Sequence, residues 1–168
     1  MSPALLIVWY SRTGGSRQLA EAARAAAAKA AQDAGDLAIR CLPAQEARAE
    51  DLLRADGYIF ACPENLAAIA GVMKAFFDRT YYEVLGQIEG RPYAAMICAG
   101  SDGANAKQQL ERICTGWRLK RVADTIIVNV AAQTREEILA DKTIAEAELS
   151  RAREIGATLA AGLAMGVF

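Results

Sequence analysis

The chain contains no histidine. That excludes every Ser-His or Cys-His nucleophile arrangement. Its four cysteines, Cys41, Cys62, Cys98 and Cys114, are far apart and form no C-x-x-C spacing, so no zinc site is expected. They are expected to be small buried apolar residues in a reducing compartment. Excess charge is also missing: 19 Lys and Arg face 20 Asp and Glu, a net charge of -1. This argues against a broad electrostatic surface for nucleic acid or anionic membrane. No apolar run approaches the roughly 20 residues that span a bilayer. Residues Ala4 to Tyr10 lack the basic flank and cleavage site of a signal peptide, and a cytoplasmic location is expected. The C-terminal stretch Leu163 to Phe168 reads as a helix end packed on the core or on a partner subunit.

At 168 residues, 54% hydrophobic and 23% charged, the chain can bury a full core as one domain over 1–168. Ala4 to Tyr10 (ALLIVWY) lacks polar alternation, as suits a strand buried on both faces. Leu19, Ala22, Ala23, Ala26, Ala27 and Ala30 then recur at helical spacing, with Gly35 as the stop. Strands are predicted at Leu37 to Leu42, at Gly57 to Cys62 with Pro63 ending it, at Tyr93 to Ala99 and at Val122 to Val130. Helices are predicted around Gln45 to Leu53, from Gly71 to Tyr82 with Val72, Ala75 and Phe76 inward, and along the stripe Leu110, Ile113, Cys114 and Trp117. A long last helix follows. Thr134 with Glu137 and Thr143 with Glu146 both fit the capping-box pattern, and Ala152, Ile155, Gly156, Leu159 and Leu163 supply its buried face. Strands alternating with helices imply a doubly wound parallel sheet with right-handed crossovers and helices on both faces.

In such a sheet, ligands bind beyond the carboxyl ends of the strands where the winding reverses. That picks the loops beginning at Ser11, Pro63 and Gly100. The first, Ser11-Arg12-Thr13-Gly14-Gly15-Ser16, joins a buried strand to a helix. Backbone N–H groups at a helix start attract anions. Gly14 and Gly15 permit close approach, and the hydroxyls of Ser11, Thr13 and Ser16 can donate to phosphate. A single cap and a tight turn would need only one hydroxyl and one glycine. Neither G-x-x-x-x-G-K-[ST] nor G-x-G-x-x-G occurs, so P-loop and Rossmann sites are not supported. Ala61-Cys62-Pro63 stands where a response-regulator receiver would need an aspartate.

Tyr10-Ser-Arg-Thr-Gly-Gly-Ser16 resembles the FMN phosphate loop of the flavodoxin-like superfamily, one of the groups on which the strand-end rule rests. Pro63-Glu64-Asn65-Leu66, followed by Gly71 to Arg79, is similar to the second flavin loop and next helix of NAD(P)H-dependent FMN reductases and tryptophan-repressor-binding-type quinone reductases. Ala99-Gly100-Ser101-Asp102-Gly103 occupies the place of the third loop. The resemblance covers essentially the whole chain and implies a five-stranded parallel sheet of order 2-1-3-4-5. It implies that the first loop holds the FMN phosphate, that Pro63, Glu64, Asn65 and Leu66 line the ring chiefly through backbone groups, and that Gly100 to Gly103 close the other edge. Read without it, Asn65 is a turn residue and Asp102 a helix N-cap.

Glu64-Asn65 replaces the Gly-Asn usual in the quinone reductases. Neither Pro63 to Ala70 nor Ala99 to Ala106 contains an aromatic residue, whereas electron-carrier flavodoxins usually sandwich the flavin between aromatics. The expected function is therefore an FMN oxidoreductase that takes hydride from NAD(P)H and passes electrons to a quinone-like acceptor, the flavin carrying the chemistry. Tyr81, Trp117 or a partner subunit of a homo-oligomer are the candidates for a missing wall. The rival expectations are an FMN-binding electron carrier and a flavin-free regulatory module.

Overall fold

A computed structural model describes residues 2–168. In chain order the elements are β1 (Ala4–Trp9), α1 (Gly15–Ala34), β2 (Ala38–Pro43), α2 (Ala49–Arg54), β3 (Gly57–Asn65), β4 (Ala68–Ile69), α3 (Gly71–Val84), β5 (Pro92–Ala99), α4 (Ala104–Gly116), β6 (Lys120–Arg121), β7 (Ile126–Asn129), α5 (Arg135–Leu139) and α6 (Glu146–Ala164). The parallel ladder runs β2-β1-β3-β5, and β6 and β7 both pair with the outer side of β5. This is the flavodoxin-like 2-1-3-4-5 arrangement, with β5 as the fourth strand and β6 and β7 sharing the fifth position. β1 and β3 are neighbours, so the winding reverses between them.

Central strands need both faces apolar, and the residues comply. β5 is buried along its whole length, and β3 over its first six residues. One face packs on α2, α3 and α4 through Tyr58, Phe60, Phe76, Phe77 and Trp117. The rings of Phe60, Phe77 and Trp117 form a chain of tilted contacts, with centroids 5.3–5.4 Å apart, a geometry favoured by the ring quadrupoles. The other face packs on α1 and α6. The alanines of α1 let α6 approach closely: a Cβ added to Gly156 would collide with the Ala23 carbonyl oxygen.

Four expectations need correction. The fifth strand is interrupted at residues 122–125, where Thr125 turns its hydroxyl to Glu111 Oε1 at 2.7 Å. β3 continues past Pro63 to Asn65, because this is the strand's end and Pro63 contributes its carbonyl, which accepts from Ala70 N at 3.1 Å. In α3 the inward residues are Met73, Phe76, Phe77, Thr80 and Val84, while Ala75 is exposed. The long last helix is two helices. The Thr134–Glu137 capping box forms on α5, but α6 starts at Glu146 after Ala145, and Thr143 caps nothing. Ile144 is buried against the start of α1 instead, which holds the chain extended there. The last residues fold back, and the Phe168 ring packs against Gly162. No helix among the described residues is long and apolar enough to cross a membrane.

Candidate functional site

A cleft of about 590 Å³ opens beyond the carboxyl ends of β1, β3 and β5. Of the residues singled out from sequence, Arg12, Thr13, Pro63, Glu64, Asn65, Leu66, Gly100 and Ser101 line it. Ser11 and Gly14 line an adjoining depression that shares Arg12, Thr13 and Lys142 with the cleft. Gly15 and Ser16 are buried behind them in the first turn of α1, and Gly103 is buried in front of α4. Asp102 is exposed and caps nothing, since the residue before α4 is Gly103.

The first loop has the construction of an anion cradle. Gly14 takes φ +89° ahead of α1, a conformation that side chains disfavour. Among the described residues, the N–H groups of Arg12, Thr13, Gly15, Ser16 and Arg17 make no backbone hydrogen bond outside the helix ladder. Ser11 serves the loop itself, its Oγ accepting from Gly14 N at 3.0 Å. A Cβ at Gly15 would stand 2.7 Å from Cys98 Sγ, so a side chain there would have to displace the thiol. Two buried side-chain polar atoms among the described residues lack a hydrogen-bond partner, Ser16 Oγ and Glu64 Oε2. Buried polar groups are normally paired, and these two lie in the loops assigned to the phosphate and to the ring. The residues thus fit a phosphorylated flavin: open N–H groups and a waiting hydroxyl on one side, a slot with an unmatched oxygen on the other.

The second loop is a tight hairpin. Glu64 pairs with Ile69 and Asn65 with Ala68, so Asn65 closes a ladder and the turn residues are Leu66 and Ala67, at φ +51° and +60°. Two-residue hairpins favour this left-handed region, but Leu and Ala enter it at a cost of about 1 kcal/mol or more each. α4 supports the strained tip. Asn105 Nδ2 donates to the Ala67 carbonyl, and Ile69 N donates to Gln109 Oε1 at 2.9 Å.

The sequence reading missed a fourth wall. Val130, Ala132, Ile138 and Lys142, from the segment between β7 and α6, also line the cleft, as does Cys98 from the end of β5. Their only sequence signal was the Thr134 capping box, which marks a helix start but not its position over the site. Among the described residues no aromatic side chain lines the cleft, and Trp9 lines the adjoining depression. Trp117 is buried on the far side of the sheet, its indole N–H donating to the Tyr81 carbonyl and its ring stacked on Tyr81, so neither residue supplies a lid. Burial pushes the Cys98 thiol up to about 11, with the Lys142 charge pulling it back. Cys62, wholly buried, is pushed up to about 12. Both are therefore thiols rather than reactive thiolates. Cys41 departs from the expected burial and is half-buried.

A family model described as NADPH-dependent FMN reductase matches residues 5–133. A flavodoxin of Aquifex aeolicus (strain VF5) is 30% identical over 99 residues, 59% of this chain and 51% of the relative, so the match spans about half of that protein's length. Two solved structures share the fold. A flavodoxin from the domain Archaea superposes with a TM-score of 0.75 at 14% identity, covering 95% of this chain and 98% of that one. A WrbA-like flavodoxin from Agrobacterium tumefaciens gives 0.64 at 17% identity, with 96% and 98% covered.

Proposed function

Because the chain belongs to the NADPH-dependent FMN reductase family, we propose that it is an FMN oxidoreductase reduced by NAD(P)H that delivers electrons to a quinone or similar flat acceptor. The observation that carries the reading is a cleft lined by the first, second and third loops without an aromatic side chain, and the unpartnered buried atoms Ser16 Oγ and Glu64 Oε2 in two of those loops support the flavin.

When bound, FMN would supply the redox chemistry between a hydride donor and the second substrate. The chain's own part is to bind, orient and shield. The N–H groups of Arg12, Thr13, Gly15 and Ser16, with the hydroxyls of Thr13 and Ser16, hold the phosphate at the positive end of α1. The hairpin Pro63 to Leu66 and the loop Gly100 to Ser101 hold the ring, the first stiffened by α4. Glu64 offers its buried oxygen to a ring N–H. The aromatic-free lining leaves a ring face open, and hydride transfer requires a nicotinamide to lie within roughly 3–3.5 Å of it.

Anaerobic mixing tests the proposal. The FMN-loaded protein should bleach with NADH or NADPH and regain colour when benzoquinone is added. The likeness to flavodoxins supports a second reading, an electron carrier. It predicts that FMN stays oxidised with both nucleotides and is reduced only by a strong reductant or a partner protein.

A further inference from the structure

The segment from residue 131 to 145 has one end tied to the third loop and the other to the first. At its start, Ala132 N donates to the Gly100 carbonyl at 2.9 Å, and Asn129 bridges Ser101 O and Ala131 N. At its end, Lys142 N donates to the Thr13 carbonyl at 2.8 Å. The Gln18 side chain completes the second junction. Its Nε2 donates to Gly14 O at 3.0 Å and to Lys142 O at 2.6 Å, and its Oε1 accepts from Ile144 N at 3.1 Å. Between these ties stands the five-residue helix α5, too short to persist alone in water. Lys142 holds it: its ammonium donates to the carbonyls of Glu137, Ile138 and Ala140, satisfying the otherwise open C-terminal end of the helix. Ile138, on this helix, is half-exposed and lines the cleft.

We propose that residues 131–145 form a strap across the cleft, and that Ile138, held there by Lys142 and Gln18 as positioning residues, sets the size of the flat acceptor admitted to the flavin. The proposal rests on the oxidoreductase reading. An isoleucine side chain at the cleft wall covers less of a flat ring than an aromatic lid would. A small unsubstituted quinone passes beneath it, and one with bulky ring substituents meets it. The strap thus joins the phosphate loop to the acceptor side through the Lys142 backbone and the Gln18 side chain.

The test combines hydrogen exchange with acceptor kinetics on the FMN-loaded protein. Amides of residues 137–144 should be protected in the wild type. Lys142→Met or Gln18→Leu should speed their exchange about tenfold, the change expected from losing hydrogen bonds, with β3 and β5 unaffected. Ile138→Ala should lower KM for a bulky tetrasubstituted benzoquinone relative to benzoquinone by about tenfold, the usual scale for a few apolar atoms in a pocket. Ile138→Trp should reverse that preference, and Lys142→Met should follow Ile138→Ala. Unprotected wild-type amides at 137–144, or exchange unchanged in both Lys142→Met and Gln18→Leu, would overturn the strap. An unchanged KM ratio in all Ile138 variants would overturn its role in selection. If wild-type protein fails to bleach with either nucleotide, the reductase reading fails, while the exchange data still decide whether the strap exists.

Discussion

A buried hydroxyl without a partner costs a folded chain about 1–3 kcal/mol, and Ser16 carries such a hydroxyl at the start of α1. Evolutionary convenience would place alanine there, and neighbouring positions in α1 are largely alanine. Ser16→Ala should therefore separate stability from binding. The flavin-free protein should keep its stability or gain about 1 kcal/mol by urea unfolding, since only an unmatched group is removed. FMN affinity should fall by about 1.5–3 kcal/mol, the range of a hydrogen bond to a charged group. Riboflavin, which has no phosphate, should bind both forms equally. Calorimetry with the two ligands reads this directly, and equal losses for FMN and riboflavin would remove Ser16 from the phosphate site. Glu64 Oε2 is likewise buried without a partner. Glu64→Gln should weaken FMN and riboflavin alike in the same calorimetry, and unchanged affinity for both would remove Glu64 from the ring site.

At the scale of elements, α1 and α6 meet where Gly156 lies against the Ala23 carbonyl. Gly156→Ala adds good helix propensity but forces the helices apart, and overpacking of this kind costs about 1–3 kcal/mol. The clash should win. A Tm lower by several degrees is expected, and a Tm equal to or above wild type would mean the helices slide freely. Such element pairs also show what could be read in the chain. β1, β3 and β5 were legible because their apolar runs serve two faces at once, and α6 because Ala152 to Leu163 keep a helical period. The first loop was legible through its composition, two glycines and three hydroxyls in six residues. The strap was not, because its placement depends on distant partners: Thr143 has a capping-box sequence, yet burial of Ile144 on Gly15 outweighs a local cap worth about 1 kcal/mol. The hairpin tip was hidden for a similar reason. Leu66-Ala67 carries no turn signal, and its left-handed backbone is sustained from outside by Asn105 and Gln109.

Across the whole molecule, both cores contain buried thiols, and these tie stability to pH. Burial pushes Cys62 up to about 12 and Cys98 up to about 11, and raises Cys114, which also faces Glu111. In the unfolded chain a thiol ionises near about 8.5. Between these limits the unfolded chain has released protons that the folded chain still holds, so stability falls as pH rises. The contribution is fully present below about pH 8.5 and is lost progressively up to the folded values, at about 1.4 kcal/mol per pH unit and thiol. Tyr58, pushed up to about 12 by burial, adds the same slope above about pH 10. Half-buried Cys41, also pushed up to about 11 by burial, adds to the same slope. The urea midpoint should therefore be nearly flat from pH 7 to 8 and drop steeply from 9 to 10.5. Carboxylates do not produce this loss, being ionised in both states there. Cys62→Ala and Cys114→Ala should each shallow the alkaline slope, whatever they do to the midpoint at pH 7. A midpoint as flat at pH 10 as at pH 7 would mean that the thiols ionise in the folded protein, and with it that water reaches both faces of the sheet.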